Sequence, residues 1–209
     1  MAVASSGRPR GLSAALLRSG SFVLSTGRRN IANVLTLIRL CCVPPIAVLT
    51  GRGDFTSAFG LFVLAGFTDL ADGYIAKHFD GRTPLGAVLD PIADKLLMAT
   101  VLITLAVIGQ IPVWLLVLIV LRDLGIVLGT VILRWQIGAF EVRPSILGKI
   151  STLLQGLLGA TVLAGLALAP WLLDFVWPLV WATALFVVAS GIGYIRLALI
   201  EYARTRRTA

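Results

Sequence analysis

Four aspartates, Asp69, Asp72, Asp90 and Asp94, are the residues whose type and spacing point most directly to chemistry. The chain holds ten acids in 209 residues, and these four fall in one stretch that is otherwise largely apolar. On helices, Asp69 and Asp72 (i, i+3) share one face, and so do Asp90 and Asp94 (i, i+4). An ionised carboxylate at the centre of a membrane helix costs about 3 kcal/mol on insertion scales, so four gathered anions require cations. Lys77 and Lys95 are near in sequence, but two monocations do not balance four anions at one spot. Hard oxygen donors in that number suit Mg2+ or Mn2+. Two such ions in a carboxylate cluster open on one side can polarise a diphosphate and stabilise a leaving phosphate. The bland alternative is a set of helix caps and solvated loop acids, which does not readily give two shared-face spacings. Gly73, Ala76 and Gly86 flank the acids and leave room for a flat ligand against the helix backbone; ordinary close packing of membrane helices explains them equally well.

The elements that must carry these residues follow from composition. The chain is 58% hydrophobic and 13% charged, with mean hydropathy +0.96. A soluble domain is roughly 45–50% apolar and about 25% charged, so this is an integral membrane protein. Six apolar segments are expected as transmembrane helices at about 31–50, 55–77, 86–108, 112–133, 149–169 and 176–200. The alternating blocks of barrel strands are absent from the sequence. Pro44-Pro45 is expected to kink or break the first span.

Charge sets the orientation. The net charge is +8, from 18 Lys+Arg against 10 Asp+Glu. One set of loops and ends carries Arg28, Arg29, Lys77, Arg82, Arg134, Arg143, Lys149, Arg204, Arg206 and Arg207, whereas the opposite set has Arg52 alone. This positive-inside pattern predicts an all-α bundle of six spans with both termini cytoplasmic. The cations stand singly between apolar runs, which excludes a nucleic-acid footprint. On that topology the second and third spans form a hairpin that places all four aspartates at one depth, toward the cytoplasmic side.

Residues 1–30 form a separate basic arm, rich in Arg and Ser and free of acids, and residues 31–209 form the membrane domain. The arm reads either as a juxtamembrane interfacial segment or as a mitochondrial targeting segment. A bacterial inner membrane is the favoured location and a mitochondrial inner membrane the alternative.

The pattern Asp69-x2-Asp72-Gly73-x2-Ala76-Lys77-x8-Gly86-x3-Asp90-x3-Asp94 resembles the defining motif of the CDP-alcohol phosphatidyltransferase family, D-x2-D-G-x2-A-R-x8-G-x3-D-x3-D. Seven of eight fixed positions match without a spacing error; Lys77 stands where the family has Arg, a point charge in place of a bidentate fork. Asn33-x2-Thr36-x2-Arg39 is similar to the family's first-span pattern. Ile111-Pro112, Arg122-Asp123 and the run Arg143-Pro-Ser-Ile-Leu-Gly-Lys149-x2-Thr152-x2-Gln155 resemble the cardiolipin synthase and phosphatidylglycerophosphate synthase branch. The resemblance implies a six-helix membrane fold, usually a homodimer, that moves a substituted phosphate from a CDP-linked donor to an alcohol and releases CMP.

The resemblance further implies that Asp69, Asp72 and Asp90 are metal ligands, joined by Asp94, for two Mg2+ or Mn2+ ions. Asp94 is the expected general base, taking the proton of the acceptor hydroxyl. Asn33, Thr36, Gly73, Ala76, Lys77 and Gly86 are expected on the CDP-diacylglycerol donor. Arg39, Arg122, Arg134, Arg143 and Lys149 are candidates for an anionic acceptor site, with an internal Arg122–Asp123 ion pair weighed evenly against acceptor binding. The leading expectation is a cardiolipin synthase-like enzyme with phosphatidylglycerol as acceptor, and the alternative is a phosphatidylglycerophosphate synthase using glycerol 3-phosphate. A small membrane transporter is the remote alternative: the acids lie toward one face, and no pair of broken helices repeats in two halves. The lone His78 cannot build a zinc site, the tryptophans near span ends form an aromatic belt, and Cys41 and Cys42 are apolar fillers.

Overall fold

A computed structural model describes residues 36–78, 84–137 and 145–208, with side chains at 36–69, 89–135 and 145–200. The described elements are helical throughout: α1 (Thr36–Gly51), α2 (Phe55–His78), α3 (Pro84–Val107), α4 (Val113–Ile137), α5 (Ile146–Ala167), a 3-10 turn (Pro170–Phe175) and α6 (Val176–Thr208). The boundaries follow local chemistry. Gly53 and Gly109 have φ of +81° and +76°, a conformation that costs glycine nothing. Each closes a helix in the same way: the amide of Gly53 donates to Thr50 and that of Asp54 to Leu49, and the amides of Gly109 and Gln110 donate to Ala106 and Leu105. These are Schellman caps. Asp54 Oδ1 then accepts from the Ser57 amide to start α2, and Ser145 Oγ accepts from the Gly148 amide to start α5.

The chain is a multi-pass membrane protein: its helices bury an apolar core with a few polar residues, and they also turn large apolar side chains outward. On α1 the buried stripe is Thr36, Arg39, Cys42, Ile46 and Thr50, whereas Leu37, Ile38, Leu40 and Val48 face outward. The outer face of α4 is continuous apolar surface from Val113 through Val117, Leu121, Leu124 and Leu128 to Trp135, which is 93% exposed. Lipid is the solvent such a face requires. The core sits on α5, which packs against α2, α3, α6 and the 3-10 turn. Its buried stripe runs Gly148, Ser151, Gln155, Leu158, Gly159, Val162 and Leu163 at helical spacing. Small residues let the backbones approach: a Cβ on Gly159 would stand 3.1 Å from Val101, and one on Gly165 would stand 2.6 Å from Leu173.

Two expectations need adjustment. Three stretches, Val113–Trp135, Ile146–Ala167 and Pro170–Ile200, are long and apolar enough to cross a bilayer. The described apolar portions of α1 and α2, Thr36–Gly51 and Phe55–Asp69, are shorter than a full span, so six complete spans are not all present among the described residues. Each of these portions is bounded by the described residues, which begin at Thr36 in α1 and carry side chains as far as Asp69 in α2, while the α2 helix itself continues to His78. The second concerns the break, one of the two outcomes expected at Pro44-Pro45. The helix α1 continues through both prolines to Gly51. They withdraw amide donors from the carbonyls of Leu40 and Cys41, a loss that membrane helices tolerate when the surrounding bundle holds them. At its other end α6 outruns the expected boundary, continuing to Thr208 with no Gly or Pro after Gly193 to stop it.

Candidate active site

The first helix organises the carboxylates. Thr36 and Arg39 are one turn apart on the buried face of α1. Arg39 Nη2 pairs with Asp69 Oδ1 on α2 at 3.0 Å, and Thr36 Oγ1 donates to Asp90 Oδ1 on α3. One face of α1 thus ties together the helices that carry the two aspartate pairs. Arg39 is completely buried, whereas the Asp69 side chain is 52% exposed. The cation is fixed inside the bundle while the anion keeps an open side. Asp94 follows Asp90 by one turn on α3 and so shares its face of that helix.

Asp94 also opens onto a groove of about 220 Å³ between α3, α4 and α5. Its polar lining is Asp94, Lys95, Arg122, Asp123, Thr152 and Gln155, and its apolar wall includes Met98, Leu102, Ile103, Leu116 and Ile119. Arg122 is the most elaborately held of these. Its Nη1 bonds Asp123 Oδ1 at 2.7 Å, its Nη2 donates to Ser190 Oγ on α6 at 2.6 Å, and its Cζ lies 5.9 Å from the centroid of the Tyr194 ring. Gln155 Nε2 donates to Ser151 Oγ at 3.2 Å, one turn back on α5.

The expected site residues divide accordingly. Asp69, Asp90 and Asp94 have described side chains, and α1 joins the first two. Asp72, Gly73, Ala76, Lys77 and Gly86 lie on helical backbone whose side chains fall outside the described residues, and Asn33 and Arg143 lie outside them altogether. Thr36, expected on the donor, is bonded to Asp90. Arg39, expected on the acceptor, is bonded to Asp69. Arg134 and Lys149 are exposed, and the groove lining does not include them; among the described acceptor candidates only Arg122 lines it. The ion pair with Asp123 and the groove position occur together in Arg122, so the two expected roles are not exclusive. Sequence reasoning missed Ser190, whose signal was a hydroxyl in the last apolar span one turn before Tyr194.

The donor set suits a hard divalent cation. Asp69 and Asp90 each engage one oxygen on α1 and keep the second for another partner. Among the described residues no three His, Cys, Asp or Glu side chains stand together as a complete metal cage. Asp72, the fourth member of the expected set, contributes no described side chain.

Comparison with known proteins gives the class. Residues 29–189 match the CDP-alcohol phosphatidyltransferase family. The chain is 36% identical over 189 residues to a "Probable phosphatidylglycerophosphate synthase" of Mycobacterium tuberculosis, covering 86% of this chain and 87% of the relative. It is 32% identical over 150 residues to the human "Cardiolipin synthase (CMP-forming)", covering 64% of this chain and 50% of the relative. A Schizosaccharomyces pombe protein named as a cardiolipin synthase and mitochondrial hydrolase fusion is 37% identical over 185 residues, covering 78% of this chain and 30% of that protein. The chain belongs to the CDP-alcohol phosphatidyltransferase family, in the branch that contains cardiolipin synthases and phosphatidylglycerophosphate synthases. It is an enzyme of the phosphatidyltransferase type.

Proposed function

We propose that the chain transfers the phosphatidyl group of CDP-diacylglycerol to sn-glycerol 3-phosphate, forming phosphatidylglycerophosphate and CMP. The observation that carries the chemistry is the placing of Asp94 in a groove whose polar end holds Arg122 and Lys95. A carboxylate base and two cations lining one groove suit an acceptor that offers a hydroxyl to one and a phosphate to the others. The choice of acceptor rests on the end-to-end similarity to the mycobacterial protein, against the partial coverage of the human and yeast cardiolipin synthases.

In this proposal Asp94 accepts the proton of the glycerol hydroxyl as its oxygen attacks the β-phosphorus of the donor. The bond from that phosphorus to the bridging oxygen breaks, and CMP leaves with the bonding electrons. Asp69, Asp72 and Asp90 are the residues to hold a divalent cation, with Arg39 and Thr36 fixing the first and last of them from α1. When bound, the cation supplies positive charge to the diphosphate and to the departing CMP. Lys77 adds a further positive charge on the donor side. The same proposal takes from the positive-inside charge pattern that both termini are cytoplasmic, the side on which a water-soluble acceptor is available, and it includes the homodimer implied by the family.

A second reading is supported by the apolar wall of the groove, from Met98 and Leu102 to Ile119, which suits the chains of a lipid acceptor. That reading is a cardiolipin synthase using phosphatidylglycerol. One experiment separates them. The protein is purified in detergent and given CDP-diacylglycerol with Mg2+ or Mn2+ and each acceptor in turn. CMP release is expected with glycerol 3-phosphate, and chelation should stop it until the cation is restored. Release with phosphatidylglycerol alone would transfer the assignment to the second reading, and release indifferent to chelation would remove the metal.

A further inference from the structure

Three helices converge on the guanidinium of Arg122. It arises from α4, bonds Ser190 on α6, and passes the first turn of α5 at Gly148. A Cβ at Gly148 would stand 3.1 Å from Arg122 Nη2 and 3.5 Å from Ser190 Oγ, so α5 brings bare backbone to the contact. Ser190 is completely buried, and the Arg122 side chain is 12% exposed. Arg122 Nη1 is taken by Asp123 and Nη2 by Ser190, while Nε is buried with no hydrogen-bond partner. A buried donor left unmet is costly, and an anionic group entering the groove is one means of meeting it.

An arginine side chain has many rotamers, most of which would carry its charge away from the groove. Asp123 cannot select among them alone, because it neighbours Arg122 on the same helix and is itself 34% exposed. Ser190 is different. It belongs to another helix, it is completely buried, and its neutral hydroxyl fixes one arm of the guanidinium without cancelling the charge. We infer that Ser190 is a positioning residue for acceptor binding: it holds Arg122 in the groove that Asp94 also lines, ready for the acceptor's phosphate. The inference rests on the acceptor role given to Arg122 above, and it assigns to α6 a part in substrate specificity.

The test is steady-state kinetics on the full chain in detergent, with whichever of the two acceptors supports CMP release. Ser190→Ala should raise the KM for that acceptor about tenfold, the usual order for loss of a hydrogen bond to a charged group. The KM for CDP-diacylglycerol, kcat and the thermal midpoint should stay as they are, and Ser190→Thr, which keeps the hydroxyl, should recover most of the loss. Arg122→Gln run in parallel separates the two layers of the argument. A raised acceptor KM in Arg122→Gln with none in Ser190→Ala would overturn the positioning role alone. An unchanged acceptor KM in both would overturn the acceptor role of Arg122 and the inference with it. A fall in thermal midpoint in Ser190→Ala, with both KM values rising together, would make the serine a packing residue and equally overturn the inference.

Discussion

The Asp94→Asn protein should fold, bind CDP-diacylglycerol and release almost no CMP. Asparagine keeps the shape of the side chain and its place in the groove, where Asp94 lies with Arg122 and Lys95. It cannot take a proton from the acceptor hydroxyl. Loss of a general base lowers turnover by about 10² to 10⁴-fold, and loss of a negative charge beside the proposed cation site adds to that. Donor binding is the discriminating measurement. It can be followed as the rise in thermal midpoint on adding CDP-diacylglycerol with Mg2+, since a ligand that binds only the folded state stabilises it. Turnover lost with the donor-induced rise intact assigns Asp94 to proton transfer. Turnover and donor-induced rise lost together would make it a ligand of the cation only. Turnover close to that of the unaltered protein would remove it from the chemistry.

Much of this site can be read from the chain because helical periodicity is a local property. The i, i+3 and i, i+4 spacings of Asp69, Asp72, Asp90 and Asp94 fix their faces before any tertiary contact is known. Hydropathy likewise marks the spans, whereas the caps at Gly53, Gly109 and Ser145 that end or start the helices emerge from the structure. Cross-helix partnerships are not local. Arg39 and Asp69 meet only through the tertiary contact of α1 with α2, which no spacing encodes. Arg39 therefore looked as available to an acceptor as Arg122 did, since charge alone does not distinguish a cation committed to an internal carboxylate from one facing a groove. Ser190 was invisible for a related reason. A serine inside a membrane helix commonly bonds its own backbone, and only the packing of α6 against α4 brings it to Arg122. The run through Pro44-Pro45 shows the converse: a strong local signal for a break does not end the helix, which continues to Gly51 with Ile46 and Thr50 buried beyond the prolines.

Arg39→Met should be the most damaging change outside the aspartates. Arginine at this position has no exposed surface and reaches the half-open carboxylate of Asp69 at 3.0 Å. Breaking a buried ion pair from one side costs about 3–5 kcal/mol, and the solvent-facing position of Asp69 brings the expectation here toward the lower end. The kinetic effect should exceed what that stability loss alone implies. With its tether gone, Asp69 is free to turn toward water, and α2 can shift relative to α1 while Asp90 stays bonded to Thr36. A displacement of about 1 Å in a positioning element can lower turnover on the order of 10²-fold, which is the loss expected for CMP release here. Arg39→Lys keeps the charge but not the reach of the guanidinium and should fall between the two. Because Thr36 and Arg39 act on one carboxylate assembly from one face of α1, Thr36→Val combined with Arg39→Met should cost less than the sum of the separate losses. A folded Arg39→Met protein with nearly normal turnover, or strictly additive losses in the pair, would show that α1 does not organise the aspartates.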